Sequence, residues 1–273
     1  MLPRYADQST DQLAQLVEDN ANEFMRALAQ DSAGELVTTP ELTRFSNTAI
    51  LSPMFNGVIQ TRLTPERVEA AIVETEAYFR ARRRPVAFWW VGPSARPADL
   101  DAHLVRRGWQ LYDLHAPSMT VDLHRLPTAV ETPPDFSLEV VRDAAGAQAW
   151  AEAFNLIYQA PAFAGQAWAD ALNRFGVDQA PFRLYLGRLG GRVVATNMLV
   201  CAGGVAGVFG VGVTPEARGQ GIGKAITLRP YLDARDEGYY IGVLFSTEMG
   251  HPVYRRLGFE DVGTISRYLW RAG

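Results

Sequence analysis

Cysteine is almost missing from this 273-residue chain. A single one, Cys201, rules out an internal disulfide and any cysteine-rich metal site. Histidine is scarce as well. The four present show no HExxH or related spacing, so no metal site is expected. No stretch approaches 18 apolar residues, and the opening MLPRYADQST has no apolar signal core, so a soluble cytoplasmic protein is expected. Basic residues (26) are outnumbered by acidic ones (30), giving a formal net charge of −4. A general nucleic-acid binder would need a basic footprint, and this balance argues against one. Glycine is short in the first half, where only Gly34, Gly57, Gly92 and Gly108 precede residue 131.

The chain has ample material for a core, with 48% hydrophobic and 21% charged residues, and its length suits one large or two modest domains. Ser9 or Thr10 can cap a helix whose apolar positions Leu13, Leu16, Val17, Ala21, Phe24 and Leu28 recur at threes and fours. After a looser stretch, 58–63 reads as a short strand, Thr64-Pro65 as a helix start, Val86–Val91 as a buried strand and 101–108 as a helix ending at glycine. Another strand is expected at 119–123. The segment 125–135 (RLPTAVETPPD) holds three prolines and no periodicity, which places a domain border there, between 1–126 and 135–273.

Beyond it, 136–141 reads as a strand and Asp143 as the cap of a helix carrying Ala147, Trp150, Ala151, Phe154, Ile157 and Tyr158. Residues 160–181 read as irregular apart from a short helix near 168–175. Gly190-Gly191 and Gly203-Gly204 signal hairpin turns joining strands 182–189, 193–201 and Val205–Val213. In the last of these, Val205, Phe209, Val211 and Val213 are expected to share one face.

Chemistry concentrates after Val211, in V-G-V-T-P-E-A-R-G-Q-G-I-G-K-A. A strand runs into a glycine-rich loop and then into a helix bearing Ile222, Ala225, Ile226, Leu228, Tyr231 and Leu232 at helical spacing. Gly219, Gly221 and Gly223 let backbone N–H groups approach a ligand, and the helix N-terminus adds unpaired donors and its dipole. Arg218 and Lys224 add charge, so the segment suits a pyrophosphate. A P-loop is excluded, because Arg218 takes its first glycine position and Ala225 its hydroxyl position. The spacing is GxGxG, not the GxGxxG of a dinucleotide fold.

Arg218-Gly219-Gln220-Gly221-Ile222-Gly223 resembles the [R/Q]-x-x-G-x-[G/A] loop of the GNAT superfamily of N-acyltransferases. Tyr254-Arg255-Arg256-Leu257-Gly258-Phe259, after a strand at 241–246, resembles that family's Y-x-x-x-G-F signature. The resemblance covers about 136–270 and implies an α/β fold with a mixed sheet. It implies that acetyl-CoA is the co-substrate, its pyrophosphate held by Arg218, Gly219, Gln220, Gly221, Ile222, Gly223 and Lys224. It also implies that the pantetheine arm pairs with the backbone of Val211 and Val213. The Val211 N–H would polarise the thioester oxygen, and Tyr254 would protonate the departing thiolate. Two features depart from the family. Pro230 lies inside the helix after the loop, where it removes one hydrogen bond and should kink that helix, and Val205–Val213 lacks the carboxylate that often serves as base, leaving Glu248 and His251 as the nearest candidates in sequence.

Leu104-Val105-Arg106-Arg107-Gly108-Trp109 parallels the second signature, with Leu104 at the tyrosine position. The order resembles tandem GNAT proteins with a degenerate first domain. The expectation is therefore an acetyl-CoA-dependent N-acetyltransferase acting on a primary amine of a small molecule or peptide. No nucleic-acid or membrane partner is expected, and a homodimer is allowed. A non-catalytic acyl-CoA sensor, or a protein-modifying enzyme whose first domain docks a partner, are the alternatives.

Overall fold

The computed structural model describes residues 2–112 and 116–273. They form two compact units. One joins 1–20 to 117–262, and the other joins 21–116 to 263–273. The proline-bearing stretch 125–135 therefore lies inside the first of these, not between them. The last strand of each sequence half belongs to the unit built mainly from the other half. Composition around 125–135 carries no trace of that exchange.

The first helix, α1 (Thr10–Leu28), begins with a reciprocal cap: Gln12 N–H donates to Ser9 Oγ (3.3 Å) and Ser9 N–H to Gln12 Oε1 (2.7 Å). Next come β1 (Gly34–Thr38) and β2 (Thr43–Asn47), which hydropathy leaves unmarked. The reason is chemical. Thr43, Ser46 and Asn47 of β2 are buried. Ser46 Oγ meets Tyr78 Oη at 3.1 Å, and Asn47 donates to Asp31 Oδ2 at 3.0 Å. Buried polar groups with partners hide a strand from an apolar pattern.

β3 (Gly57–Ile59) is shorter than the expected 58–63. A 3-10 turn, Pro65–Arg67, precedes α2 (Val68–Ala81), and β4 (Val86–Val91), α3 (Leu100–Arg106) and β5 (Gln110–Leu111) follow. The sheet of this unit runs β1-β2-β3-β4 and then the C-terminal strand Glu260–Arg271, which also carries β5. Among the described strands of this unit β3 and β4 are the parallel pair, joined through α2. Trp89, Trp109 and Trp270 pack with Phe79 and Leu104 at its centre.

The other unit has strands β6 (Ala116–Asp122), β7 (Phe136–Val140), β8 (Arg183–Leu189), β9 (Arg192–Ala202), β10 (Val205–Val213) and β11 (Ile241–Phe245). Their order is β6-β11-β10-β9-β8-β7, with β10 and β11 the parallel pair. Both glycine pairs make tight turns at positive φ (+56° and +80° at Gly190-Gly191, +64° and +77° at Gly203-Gly204). Helix α4 (Ala144–Tyr158) starts at Asp143, whose carboxylate accepts from Gly146 N–H at 2.8 Å. Helix α5 (Ala162–Phe175) fills most of the segment read as irregular, its buried face built largely from alanine and glycine that score weakly as apolar. Helices α6 (Ile222–Asp236) and α7 (His251–Arg256) complete the unit. Among the described residues no helix is long and apolar enough to cross a membrane.

Pro230 sits inside α6 with its ring buried. It cannot donate to the Ile226 carbonyl four residues earlier. Asn197 of β9 does so instead, through Nδ2 at 2.7 Å, from a fully buried position. Asn197→Ala should therefore cost about 1–3 kcal/mol. In a Pro230→Ala background the cost should shrink, because alanine restores the backbone donor that proline lacks. A double-mutant cycle in denaturant measures the coupling, and additive effects would show that the amide does not replace the missing N–H.

Candidate active site

Strands β10 and β11 are paired at only three positions, Ala206↔Gly242, Gly207↔Val243 and Val208↔Leu244. Among the described residues the β10·β11 pairing ends at Val208 while β10 continues to Val213, and the Phe209 and Phe245 rings stand edge to face at 5.8 Å where the strands part. A parallel pair that separates leaves a row of main-chain groups open on one edge.

On its other side β10 pairs with β9, but not evenly. Phe209 faces Met198 and Gly212 faces Thr196, so Gly210 and Val211 together oppose Asn197. This is a β-bulge with glycine first, and Gly210 has φ +60°. The extra residue breaks the expected alternation, and Val205, Phe209, Val211 and Val213 do not form one continuous face. Gly210 and Gly212 also allow close approach of α4. A Cβ at Gly210 would lie 3.2 Å from the Trp150 ring, and one at Gly212 2.3 Å from Ile157 Cγ2.

Side chains satisfy the carbonyls of the bulge. Thr196 Oγ1 donates to Gly210 O (2.8 Å), Tyr158 Oη to Val211 O (2.7 Å) and Trp150 Nε1 to Asn197 O (3.1 Å). In a planar trans peptide the carbonyl and the N–H point opposite ways. With Gly210 C=O held toward β9, the Val211 N–H points to the open edge.

The loop after β10 turns through Pro215–Ala217, and Arg218 Nε bonds back to Val213 O at 3.1 Å. Gly219 (φ +75°) and Gly221 (φ +82°) then alternate with residues of ordinary φ before α6 begins. Among the described residues the N–H groups of 219–223 have no intrachain acceptor. A run of N–H groups in alternating conformation at a helix start makes an anion-binding concavity. It opens on a cavity of about 600 Å³ lined by Gly219, Gln220, Gly221 and Lys224, and also by 130–133.

Segment 130–133 carried no signal in the sequence beyond the proline-rich composition of 125–135. Its role shows in one distance: a Cβ at Gly221 would lie 2.1 Å from the Glu131 carbonyl oxygen. Of the expected loop residues, Gly219, Gln220, Gly221 and Lys224 line this cavity, whereas Ile222 is buried in the core. Arg218 and Gln220 are solvent-exposed.

Tyr254 is buried against Phe259, with ring centroids 5.8 Å apart, and Gly250 makes room for its ring. Its hydroxyl has no hydrogen-bonding partner among the described residues, and burial pushes its pKa up to about 12. Glu248 is exposed, and His251 Nε2 contacts Asp261 Oδ1 at 2.8 Å.

The other unit repeats the local architecture without the opening. After Leu104, Gly108 takes φ +87° and Trp109 N–H bonds to Leu104 O at 3.0 Å. After Tyr254, Gly258 takes φ +95° and Phe259 N–H bonds to Tyr254 O at 3.1 Å. Past the β3–β4 pairing, however, the chain fills its own edge. Arg96 N–H bonds to Thr61 O (3.0 Å), Leu63 N–H to Arg96 O (3.1 Å) and Trp89 Nε1 to Thr61 Oγ1 (2.8 Å).

Residues 180–261 match the acetyltransferase (GNAT) domain. Its fold is that of a GCN5-related N-acetyltransferase from Kribbella flavida, with 21% identity, a TM-score of 0.71, and coverage of 94% of this chain and 96% of that one. A tandem GNAT protein from the clavulanic acid biosynthesis pathway matches at TM-score 0.58 and 18% identity, over 98% and 96% of the two chains. A mycothiol acetyltransferase from Arthrobacter sp. (strain FB24) is 46% identical over 55 residues, and the match spans 19% of this chain and 17% of that relative.

The two loop glycines at positive φ should differ in tolerance. Gly219→Ala meets open space and should cost about 1 kcal/mol for its left-handed backbone alone. Gly221→Ala adds the clash with Glu131 and should cost more than about 2 kcal/mol. Equal midpoints in a denaturant titration would show that 130–133 does not bear on the loop.

Proposed function

We propose that the chain transfers an acetyl group from acetyl-CoA to a primary amine, in the unit that contains β10 and α6. The observation that carries this reading is the run of unpaired N–H groups at 219–223, continuous with the open edge of β10. A pyrophosphate takes the first, and an extended pantetheine arm pairs with Val211 and Val213 along the second. Lys224 adds a positive charge beside the loop.

The amine attacks the thioester carbonyl, and the oxygen gains negative charge as the carbon becomes tetrahedral. The Val211 N–H, aimed at the open edge, stabilises that charge. The C–S bond then breaks, and Tyr254 protonates the thiolate. Burial pushes the phenol pKa up to about 12, so at neutral pH Tyr254 holds the proton that the thiolate takes. No carboxylate lies on β10, and the amine loses its proton to water or to a group outside that strand. The acceptor is a small amine or a peptide. The mycothiol acetyltransferase match is too short to carry its acceptor over to this chain.

Binding and turnover test the reading separately. Calorimetry should give one acetyl-CoA site per chain, because the other unit closes the equivalent edge. Gly223 has ordinary φ, and a Cβ there makes only a 3.7 Å contact with Val213. Gly223→Asp should therefore fold, helped by an acid in the first helical turn, yet lose at least about tenfold in acetyl-CoA affinity. Unchanged affinity in the folded variant would remove the pyrophosphate from this loop.

Thiol release from acetyl-CoA against a panel of amines, aminosugars and peptides tests catalysis. Tyr254→Phe should lower kcat about 100-fold, the low end for general acid catalysis, with acetyl-CoA binding retained. Because the phenol pKa is raised, wild-type kcat should show no Tyr254-dependent fall up to about pH 11. A kcat within about twofold of wild type, with chemistry rate-limiting, would assign the proton to another donor.

A further inference from the structure

We infer that Thr196 is a positioning residue for acyl transfer: its hydroxyl, by holding the Gly210 carbonyl, aims the Val211 N–H at the reacting thioester. This deepens the reading above and rests on the Val211 N–H as the donor to the thioester oxygen.

Thr196 lies on β9, completely buried, and its main chain is paired with Gly212. The ladder does not need its hydroxyl. The bulge does, because Gly210 and Val211 share a single opposing residue. Such a bulge leaves a peptide outside the regular ladder. That peptide, 210–211, carries the Gly210 carbonyl on one side and the Val211 N–H on the other.

Glycine at 210, with φ +60°, offers little torsional resistance to rotation of the peptide. The 2.8 Å bond from Thr196 Oγ1 fixes one end of it. Rotating the peptide would break that bond and take the half-buried Gly210 carbonyl from its Thr196 partner, at a cost that keeps the N–H directed to the open edge. Tyr158 holds the next carbonyl, Val211 O, at 2.7 Å, so the following peptide is pinned as well. Tyr158 is 41% exposed, which leaves the buried Thr196 as the stiffer of the two restraints.

An oxyanion donor is effective only when it is aimed before charge develops, and removing one costs about 10²–10³ in kcat. Misaiming one, without removing it, should cost less. Thr196→Val preserves the shape of the side chain and deletes its donor, whereas Thr196→Ser keeps the donor and loses a methyl. The expected result for Thr196→Val is a kcat about 10–100-fold below wild type with the acetyl-CoA KM within about twofold, and Thr196→Ser should restore kcat to within about threefold. A merely structural role would scale with stability, and it would weaken the serine variant as well.

The same variants are examined in crystals, without substrate. In Thr196→Val the 210–211 peptide should turn away from the orientation it has in the wild type, and in Thr196→Ser it should not. A wild-type protein that releases thiol alongside a Thr196→Val variant of equal kcat would overturn the inference and leave the proposed function standing. A wild type that neither binds acetyl-CoA nor releases thiol would overturn the proposed function, and the aiming of Val211 with it as a catalytic device. The positioning of the peptide is then decided by the crystals alone, where an unrotated peptide in Thr196→Val refutes it.

Discussion

The candidate site depends on how briefly β10 and β11 run together. Three pairs hold them, and past Val208 no strand among the described residues pairs with that edge of β10. Everything the site offers follows that edge along the chain: the bulge at Gly210 and Val211, the segment to Val213, and then the glycine loop and the start of α6. A strand that stayed paired would have spent those N–H groups on its neighbour. An open edge is costly in a folded protein and invites aggregation.

Irregular backbone inside a protein survives only where other groups satisfy it. Around β10 this is done by side chains spread widely over the sequence. Thr196 and Tyr158 serve the bulge, Trp150 serves its opposing residue, and Asn197 supplies the bond that Pro230 withholds within α6. The second unit shows the alternative outcome. Its parallel pair β3 and β4 is followed by residues that bond to one another, with Thr61 and Arg96 closing the edge and Trp89 sealing it. Two related frameworks thus differ in whether main-chain groups are left for a ligand or used by the chain itself.

The segments easiest to read from sequence were those in which local chemistry and final structure agree. Val86–Val91 and Val205–Val213 are strands with the expected limits, the Ser9 cap and the Asp143 cap start their helices, and both diglycine turns form. β1 and β2 escaped because their buried residues include polar ones whose partners are far away in sequence, and α5 escaped because alanine and glycine carry little hydropathy. The domain border at 125–135 followed composition, yet composition is blind to which sheet a terminal strand joins.

For the site, the sequence by itself determined the glycine loop, the helix that follows it and the signature around Tyr254. These are contiguous motifs, in which backbone freedom and residue type are set by near neighbours. Only the tertiary structure decided the rest. The bulge follows from a one-residue mismatch between two strands, which no pattern within either strand reveals. Glu131 reaches Gly221, Asn197 reaches Ile226 and Thr196 reaches Gly210 through the packing of distant elements. Contacts of that kind depend on where whole strands and helices are laid against each other, and that arrangement is the summed result of burial across the unit, not the property of any one segment.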